Sequence, residues 1–177
     1  MITRYNGQGL MTTKGFRPRR QRQLGFAIGI AMLVSASLLA AALAFQYIGG
    51  LQPCTLCHWQ RWPHMAVILF GFVFLLTSGR FAGLVLLLIS LAALTTAAIG
   101  FWHAGVELGW LQGPTACSGG FDMKGEPAQL VDKLLAGPVV RCDEVPWSLL
   151  GISMAGWNGL ISLALAGFSG WLVFRSR

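Results

Sequence analysis

The sequence predicts an all-α membrane protein, built as a bundle of four transmembrane helices. Of its 177 residues, 55% are hydrophobic and 11% are charged, whereas an ordinary soluble domain is about 45–50% apolar and about 25% charged. This composition excludes a disordered chain and argues against a soluble globule. Four long stretches carry no charged residue: those between Arg22 and Arg61, Arg61 and Arg80, Arg80 and Glu107, and Glu144 and Arg175.

Each of these stretches is long enough, or nearly so, for the roughly 20 apolar residues of a membrane-crossing helix. Lipid offers a peptide backbone no hydrogen-bond partners, so the spans are expected to be helical. The second span is the shortest, and its helix can begin earlier, inside the preceding loop. We place a basic arm at residues 1–24 and a single membrane domain at 25–177, with spans near 25–48, 62–79, 81–102 and 152–174.

The distribution of charge predicts the orientation of the bundle. Residues 1–24 hold six basic residues and no acidic one, and Arg80, Arg175 and Arg177 flank other span ends. Basic residues favour the cytoplasmic side of a membrane, so both termini are expected there. Loops 49–61 and 103–150 then face the opposite side, which in a bacterium is the oxidising periplasm. The basic arm therefore indicates topology rather than a nucleic-acid-binding surface.

The first outer loop contains a Cys-x-x-Cys motif, formed by Cys54 and Cys57. Such a motif is typical of a redox-active pair, but also of half a zinc site. If the second helix begins near Cys57, its N-terminal dipole would stabilise a thiolate there. Arg61 follows four residues later on the same helical face and would lower the pKa of that thiol. With His58, the motif also matches a c-type haem attachment site.

The second outer loop contains the other two cysteines, Cys117 and Cys142, which bracket a polar segment. They predict either a structural disulfide that stiffens the loop or a redox pair that passes electrons to the first pair. Within the segment, residues 127–138 place apolar side chains at helical spacing. This pattern predicts a short amphipathic helix on the membrane surface.

A histidine and a glutamate, His103 and Glu107, follow the third predicted span four residues apart. This spacing puts both side chains on one helical face. They can form a metal-binding pair, a proton-handling pair or a solvated pair at the membrane interface, and we favour the last. A proton-handling role is chemically reasonable because histidine titrates near neutral pH.

Taken together, these residues resemble the DsbB family of bacterial membrane disulfide-forming proteins. The resemblance covers most of the chain. Its most specific stretches are residues 51–57 with Arg61 after them, and Cys142 followed by Trp147 and residues 149–151. It implies a four-helix fold and the activity of a thiol:quinone oxidoreductase in the bacterial inner membrane.

The resemblance also implies a role for each cysteine. A periplasmic DsbA-type thiol oxidoreductase, in its reduced form, would attack Cys117 and form a mixed disulfide. Cys142 would be released and would pass electrons to Cys54. Cys57 would then be freed as a thiolate beside a bound quinone, either ubiquinone or menaquinone.

For the quinone, the resemblance assigns Arg61 as the adjacent basic residue and His103 as a neighbour of the ring. Two other interpretations stay open. One is a membrane metal- or haem-binding protein that uses Cys54, Cys57 and His58. The other is a structural membrane protein whose cysteines only cross-link its loops.

Overall fold

A computed structural model describes residues 19–77, 81–115, 117 and 140–175 of the chain. Within these ranges the protein is mostly helical, as the sequence predicts. The elements are α1 (Arg19–Tyr47), α2 (Thr55–Leu76), α3 (Ala82–Glu107), β1 (Ser148–Leu149), β2 (Ile152–Ser153) and α4 (Met154–Arg175). Three of these helices, α1, α3 and α4, are long and apolar enough to cross a membrane, while α2 has 22 residues and carries several polar ones.

The helix ends differ from the predicted span ends, and most of the differences lie near the cysteines. Helix α2 begins at Thr55 rather than near 62, so it contains Cys57 and Arg61. Helix α3 continues to Glu107 instead of ending near 102. The chain leaves that helix through Gly109, whose φ of +72° suits a residue without a side chain.

The first and last predicted spans also shift slightly. Helix α1 begins at Arg19, within the predicted basic arm. Helix α4 begins at Met154 rather than at 152, because Ile152 and Ser153 pair with Leu149 and Ser148 in an antiparallel hairpin. The predicted amphipathic helix, residues 1–18 and Arg80 lie outside the described residues.

The middle of the bundle is an apolar core that all four helices share. Its buried side chains include Ile28 of α1, Val67 of α2, Ile89 of α3 and Leu165 of α4. Because each helix contributes to this core, the four helices hold one another in fixed positions at the end of the bundle where the cysteines lie.

Helices α3 and α4 approach closely at a pair of glycines. A Cβ atom added to Gly100 would lie 2.9 Å from both the Cα and the backbone nitrogen of Gly159. Ala155 and Gly159 are spaced four residues apart, a spacing that allows helix backbones to pack closely. Both residues lie in α4, where it meets Gly100 of α3. By contrast, a Cβ atom added to Gly29 or Gly83 would meet no atom within 4 Å, so these glycines are not at close helix contacts.

A second buried cluster, which contains sulfur, lies at the end of the bundle where α2 begins and α3 ends. Cys54, Cys117 and Cys142 are buried there together with Leu56 and Val106. Residues from α3, from the start of α2 and from the segment that joins α3 to β1 thus meet at one place. The fold therefore brings together cysteines that the sequence separates by up to 88 positions.

Candidate active site

Cys54 is the N-cap residue of α2, and its sulfur accepts a hydrogen bond from the backbone N–H of Cys57 at 3.3 Å. The two cysteines are free, with their Sγ atoms 3.1 Å apart. His103 Nε2 lies 3.6 Å from Cys54 Sγ. Hydrogen bonding to the side chain of Cys57 is the largest cause that lowers the pKa of the Cys54 thiol to about 4; His103 acts in the same direction, and burial opposes both.

These contacts show that the N-terminus of α2 stabilises the sulfur of Cys54 and not, as the sequence had suggested, that of Cys57. The sequence suggested that the dipole of α2 would act on Cys57, with Arg61 beside it. In the structure the α2 N-terminus faces Cys54 instead. Arg61 donates to Gln46 Oε1 at 2.7 Å and to the carbonyl of Ala42 at 3.5 Å.

Cys117 and Cys142 form a disulfide that packs directly beside Cys54. The Sγ atoms of Cys54 and Cys142 and a ring nitrogen of His103 all lie within 4.8 Å of one another. A thiolate at Cys54 is therefore close to one sulfur of the second pair, and a small movement brings the two into contact. Thiol–disulfide exchange proceeds by such an attack of a thiolate on a disulfide sulfur.

The hydrogen bonds around His103 fix its tautomer. The Nε2 amide of Gln60 donates to the carbonyl of Leu56 at 3.3 Å, and the same nitrogen lies 2.9 Å from His103 Nδ1. A carbonyl oxygen can only accept, so Gln60 Nε2 must point this way and His103 Nδ1 must be the acceptor. The ring proton of neutral His103 therefore sits on Nε2, which faces Cys54.

Behind His103, a polar network crosses the interior of the bundle. Asn158 of α4 donates to Gln60 Oε1 at 2.7 Å, and its Oδ1 lies 2.9 Å from His64 Nε2. His64 Nδ1 lies 3.3 Å from the hydroxyl of Ser35 in α1, and Thr96 of α3 donates to the Gln60 carbonyl at 3.1 Å. The network joins all four helices, and its members satisfy one another as buried polar groups require.

A cavity of about 440 Å³ opens beside the first cysteine pair. This volume lies within the usual range of small-molecule sites, about 300–1,000 Å³. Its walls are mostly apolar side chains of α1 and α4. The polar groups along it include four of the residues singled out from the sequence: Cys54, Cys57, Arg61 and His103.

His103 and Glu107 are buried, which rules out the favoured interpretation of a solvated pair at the interface. Both side chains are only 4% exposed, and His103 Nε2 lies 3.8 Å from Glu107 Oε1. The interpretation failed because α3 runs one turn further than predicted. That extra turn places Glu107 beside the β1–β2 hairpin, where its carboxyl group accepts a hydrogen bond from the side chain of Ser153.

A metal or haem site built on Cys54, Cys57 and His58 receives no support from the geometry. His58 is exposed. Among the described residues, the one group of three convergent ligand-type side chains contains His103 and Cys142 with Cys54. The sulfur of Cys142 is engaged in the disulfide, so this group is not a complete site.

Sequence reasoning missed Gln60, Ser35 and Asn158 and left His64 unassigned. A signal for three of these four residues was present. Gln60 and His64 are polar residues four positions apart in an apolar helix, and Asn158 is the only amide side chain in α4. Polar residues inside membrane helices commonly mark functional sites.

Comparison with known proteins agrees with this geometry. The family model described as "Disulfide bond formation protein DsbB" matches residues 23–172. A "Disulfide bond formation protein B" of Methylococcus capsulatus is 35% identical over 147 residues, covering 79% of this chain and 88% of the relative. One of Stutzerimonas stutzeri is 32% identical over 162 residues, covering 82% and 92%.

A third relative of the same name, from Azoarcus sp., is 31% identical over 170 residues and covers 90% of this chain and 96% of the relative. No solved structure matches the chain significantly. The family match, the apolar helices and the cysteine pairs together indicate a multi-pass membrane protein with disulfide-forming oxidoreductase activity. The chain belongs to the DsbB family of disulfide bond formation proteins.

Proposed function

We propose that this protein oxidises a periplasmic DsbA-type thiol oxidoreductase and passes the electrons to a membrane quinone, either ubiquinone or menaquinone. The observation that carries the proposal is the position of Cys54. Its sulfur lies within 4.8 Å of Cys142 Sγ, and both Cys54 and Cys57 border the apolar cavity. One pair of sulfurs thus connects the second disulfide to a site for a small apolar molecule.

The relay consists of thiol–disulfide exchanges. A thiolate of the reduced partner attacks Cys117, and the Cys117–Cys142 bond breaks to release Cys142 as a thiolate. Cys142 attacks Cys54 of the oxidised first pair, and Cys57 leaves as a thiolate. When the partner and Cys117 have regained their own disulfides, Cys54 and Cys57 hold the two electrons as a dithiol. The structure has this last arrangement of bonds.

The residues around the cavity fit a quinone. Apolar side chains of α1 and α4 suit its ring and tail, and Phe45 and Trp147 pack against each other at one end with ring centroids 5.0 Å apart. Arg61 has five N–H donors, of which Gln46 and Ala42 engage two, so it can also donate to a quinone oxygen. A bound quinone would supply the acceptor for two electrons and two protons.

We further propose that the protein lies in the bacterial inner membrane with its cysteines facing the periplasm. The support is the charge distribution, because the six basic residues of segment 1–24 favour the cytoplasmic side. In this orientation α2 also crosses the membrane, in addition to α1, α3 and α4. Its polar residues face the network inside the bundle rather than lipid. The basic arm would contact the cytoplasmic membrane surface.

The test is quinone reduction by the purified protein in detergent, with a reduced DsbA-type protein as electron donor and a short-chain ubiquinone or menaquinone analogue as acceptor. We expect donor-dependent loss of quinone absorbance. Cys54→Ser should reduce the rate at least about 100-fold, because the only route from the second pair to the first is then missing.

His58→Gln is the matched control, since His58 is an exposed neighbour of the motif and should keep the parental rate. Folded protein that reduces no quinone with any donor would overturn the proposal. Stoichiometric zinc or a Soret band in the purified protein, lost in His58→Gln, would favour the metal- or haem-binding alternative.

A further inference from the structure

The polar network behind His103 is buried inside the bundle and takes no part in the exchange of sulfurs. Ser35 and Thr96 are fully buried, and Gln60, His64 and His103 are at most 6% exposed. Buried polar groups are costly unless they bond to one another, and inside a membrane bundle they commonly mark a functional site. What the network can do depends on which atom donates in each of its hydrogen bonds.

Gln60 and Asn158 are each fixed by a backbone carbonyl, a group that can only accept. The carbonyl of Leu56 takes one proton of the Gln60 amide, which leaves Gln60 Oε1 to accept from Asn158 at 2.7 Å. The carbonyl of Gln60 takes the hydroxyl proton of Thr96, so the Thr96 oxygen accepts from Asn158 Nδ2, 3.3 Å away. Two independent contacts therefore agree that the NH2 group of Asn158 points toward Gln60 and Thr96.

With these two amides fixed, the other hydrogen bonds of the network have a single direction. Asn158 Oδ1 accepts, so the ring proton of His64 lies on Nε2, 2.9 Å away. His64 Nδ1 then accepts from the hydroxyl of Ser35 at 3.3 Å. At the other end, Gln60 donates to His103, whose Nε2–H faces Cys54 Sγ at 3.6 Å. We call this series the donor chain; its members, in order, are Ser35, His64, Asn158, Gln60, His103 and Cys54.

The donor chain opposes the uptake of a second proton by His103. The Nε2 atom of the ring faces two groups that can be anionic, Cys54 Sγ at 3.6 Å and Glu107 Oε1 at 3.8 Å, and anionic neighbours favour a doubly protonated ring. The second proton could bind only at Nδ1, where Gln60 Nε2 is a donor 2.9 Å away. To accept there instead, the Gln60 amide would have to turn its oxygen toward a backbone carbonyl and its NH2 group toward that of Asn158.

The other charged or titratable groups at this end of the bundle have partners of their own. Each arginine beside the cavity is engaged, one by an amide of α1 and the other by two acids of the outer loop. The sulfur of Cys142 is in the disulfide and does not titrate. The groups of this kind that border the cavity, apart from those already placed around the ring, are Cys57, Arg61, Arg141 and Glu144.

We propose that Gln60 and Asn158 are positioning residues, which hold His103 through the donor chain as a neutral N–H donor to Cys54. The ring then stabilises the Cys54 thiolate without retaining the proton that the thiol has lost. The amides keep their own protons, so the donor chain carries none away. That proton leaves into the cavity, which Cys54 borders. The chemical role rests on the proposed function, in which the quinone receives two electrons and two protons from the first pair.

The direct test is nitrogen NMR at pH 7 of protein labelled with 15N-histidine and reduced at the first pair. The sequence has three histidines, and His58→Gln and His64→Gln assign their signals. For His103 we expect a protonated Nε2 and an unprotonated Nδ1. In Gln60→Leu, which removes the donor, the Nδ1 signal should move to the position of a protonated nitrogen.

Two substitutions in α4 separate positioning from general stability. Asn158→Leu frees one side of the Gln60 amide and should move the His103 Nδ1 signal in the same direction as Gln60→Leu. Ser162→Ala is the matched control, because Ser162 is buried in the same helix and its hydroxyl bonds to none of the described residues. It should leave the His103 signals unchanged.

The parent spectrum alone can overturn the proposal. A proton on His103 Nδ1 in the parent protein would show that Gln60 accepts there, and this result needs no variant to fold. Parental His103 signals in Gln60→Leu would show that the ring is held by other contacts. A change in Gln60→Leu but not in Asn158→Leu would contradict the role of Asn158.

The pH dependence of Cys54 alkylation gives a second readout. In the parent, the rate should show no step between about pH 5 and 8, the range in which a free histidine titrates. In Gln60→Leu such a step should appear, because a thiolate beside a protonated ring is a weaker nucleophile. A parental profile with this step would contradict the proposal. Neither readout uses a quinone or a partner, so both still decide the proposal if the protein reduces no quinone and the proposed function fails.

Discussion

At the scale of single residues, the chemistry depends on how Cys54 is surrounded. It caps α2, accepts a hydrogen bond from the backbone N–H of Cys57, lies with its sulfur 3.1 Å from the sulfur of Cys57, and faces the N–H of His103. Each contact favours the thiolate over the thiol. A thiol of low pKa is a good leaving group in exchange, so in the proposed relay Cys54 is suited to separate from Cys142 when the second disulfide reforms.

The first prediction is that Cys54 remains reactive in acid. Its pKa is lowered to about 4, so the thiolate is present above about pH 4 and is protonated only below it. An ordinary cysteine, with a pKa of about 8.5, is already protonated at pH 7. In the dithiol form we expect iodoacetamide to modify Cys54 at pH 6, with the half-point of the rate near pH 4, as measured by mass spectrometry of the peptide.

Cys57→Ala provides the comparison, because it removes the largest cause of the shift. The half-point should move up by at least about one pH unit in this variant. A parental half-point near pH 8.5 would show that the contacts do not stabilise the thiolate.

At the scale of elements, the site exists because two helix ends lie beyond the predicted span ends. The early start of α2 makes Cys54 an N-cap, and the late end of α3 carries Glu107 under the hairpin. The close approach of α3 and α4 at Gly100 and Gly159 holds Asn158 within reach of Gln60. Backbone packing in the middle of the bundle thus positions the polar side chains of the site.

We therefore predict that Gly100→Ala destabilises the protein by about 1–3 kcal/mol, because the added methyl group would overlap the backbone of α4. The free energy of unfolding in detergent, from denaturant titration, measures this cost. Gly167→Ala is the matched control, since a Cβ at Gly167 meets no atom within 4 Å. Equal stabilities of the two variants would argue against close packing at Gly100.

At the scale of the whole molecule, the acidic residues, most of the basic residues and the buried polar network lie in different parts of the protein. All six acidic residues lie in segment 103–150, and segment 1–24 holds six of the 13 basic ones. Inside the bundle, the hydrogen bonds among Gln60, His64 and Asn158 keep these polar side chains facing one another. Such an arrangement lets α2 lie in a membrane although it carries several polar residues.

The corresponding prediction concerns topology in cells. A fluorescent protein fused after Arg177 should fluoresce, because the C-terminus is expected in the cytoplasm. Alkaline phosphatase inserted within residues 118–139 should be active, because it requires the oxidising periplasm. The opposite pattern of the two reporters would show that the bundle is inverted and that its cysteines face a reducing compartment.

The sequence by itself determined the helical membrane class, the approximate helices and the two pairs of cysteines. These follow from local properties, namely charge-free length and the spacing of Cys54 from Cys57. Only the tertiary structure decided that Cys142 meets Cys54 and that Glu107 is buried. Contacts between distant segments depend on how the helices pack and where they end, and neither is encoded in a local pattern. Gln60 and Asn158 show the same limit, because the sequence marks each as a polar residue in an apolar helix but does not show that they bond to each other.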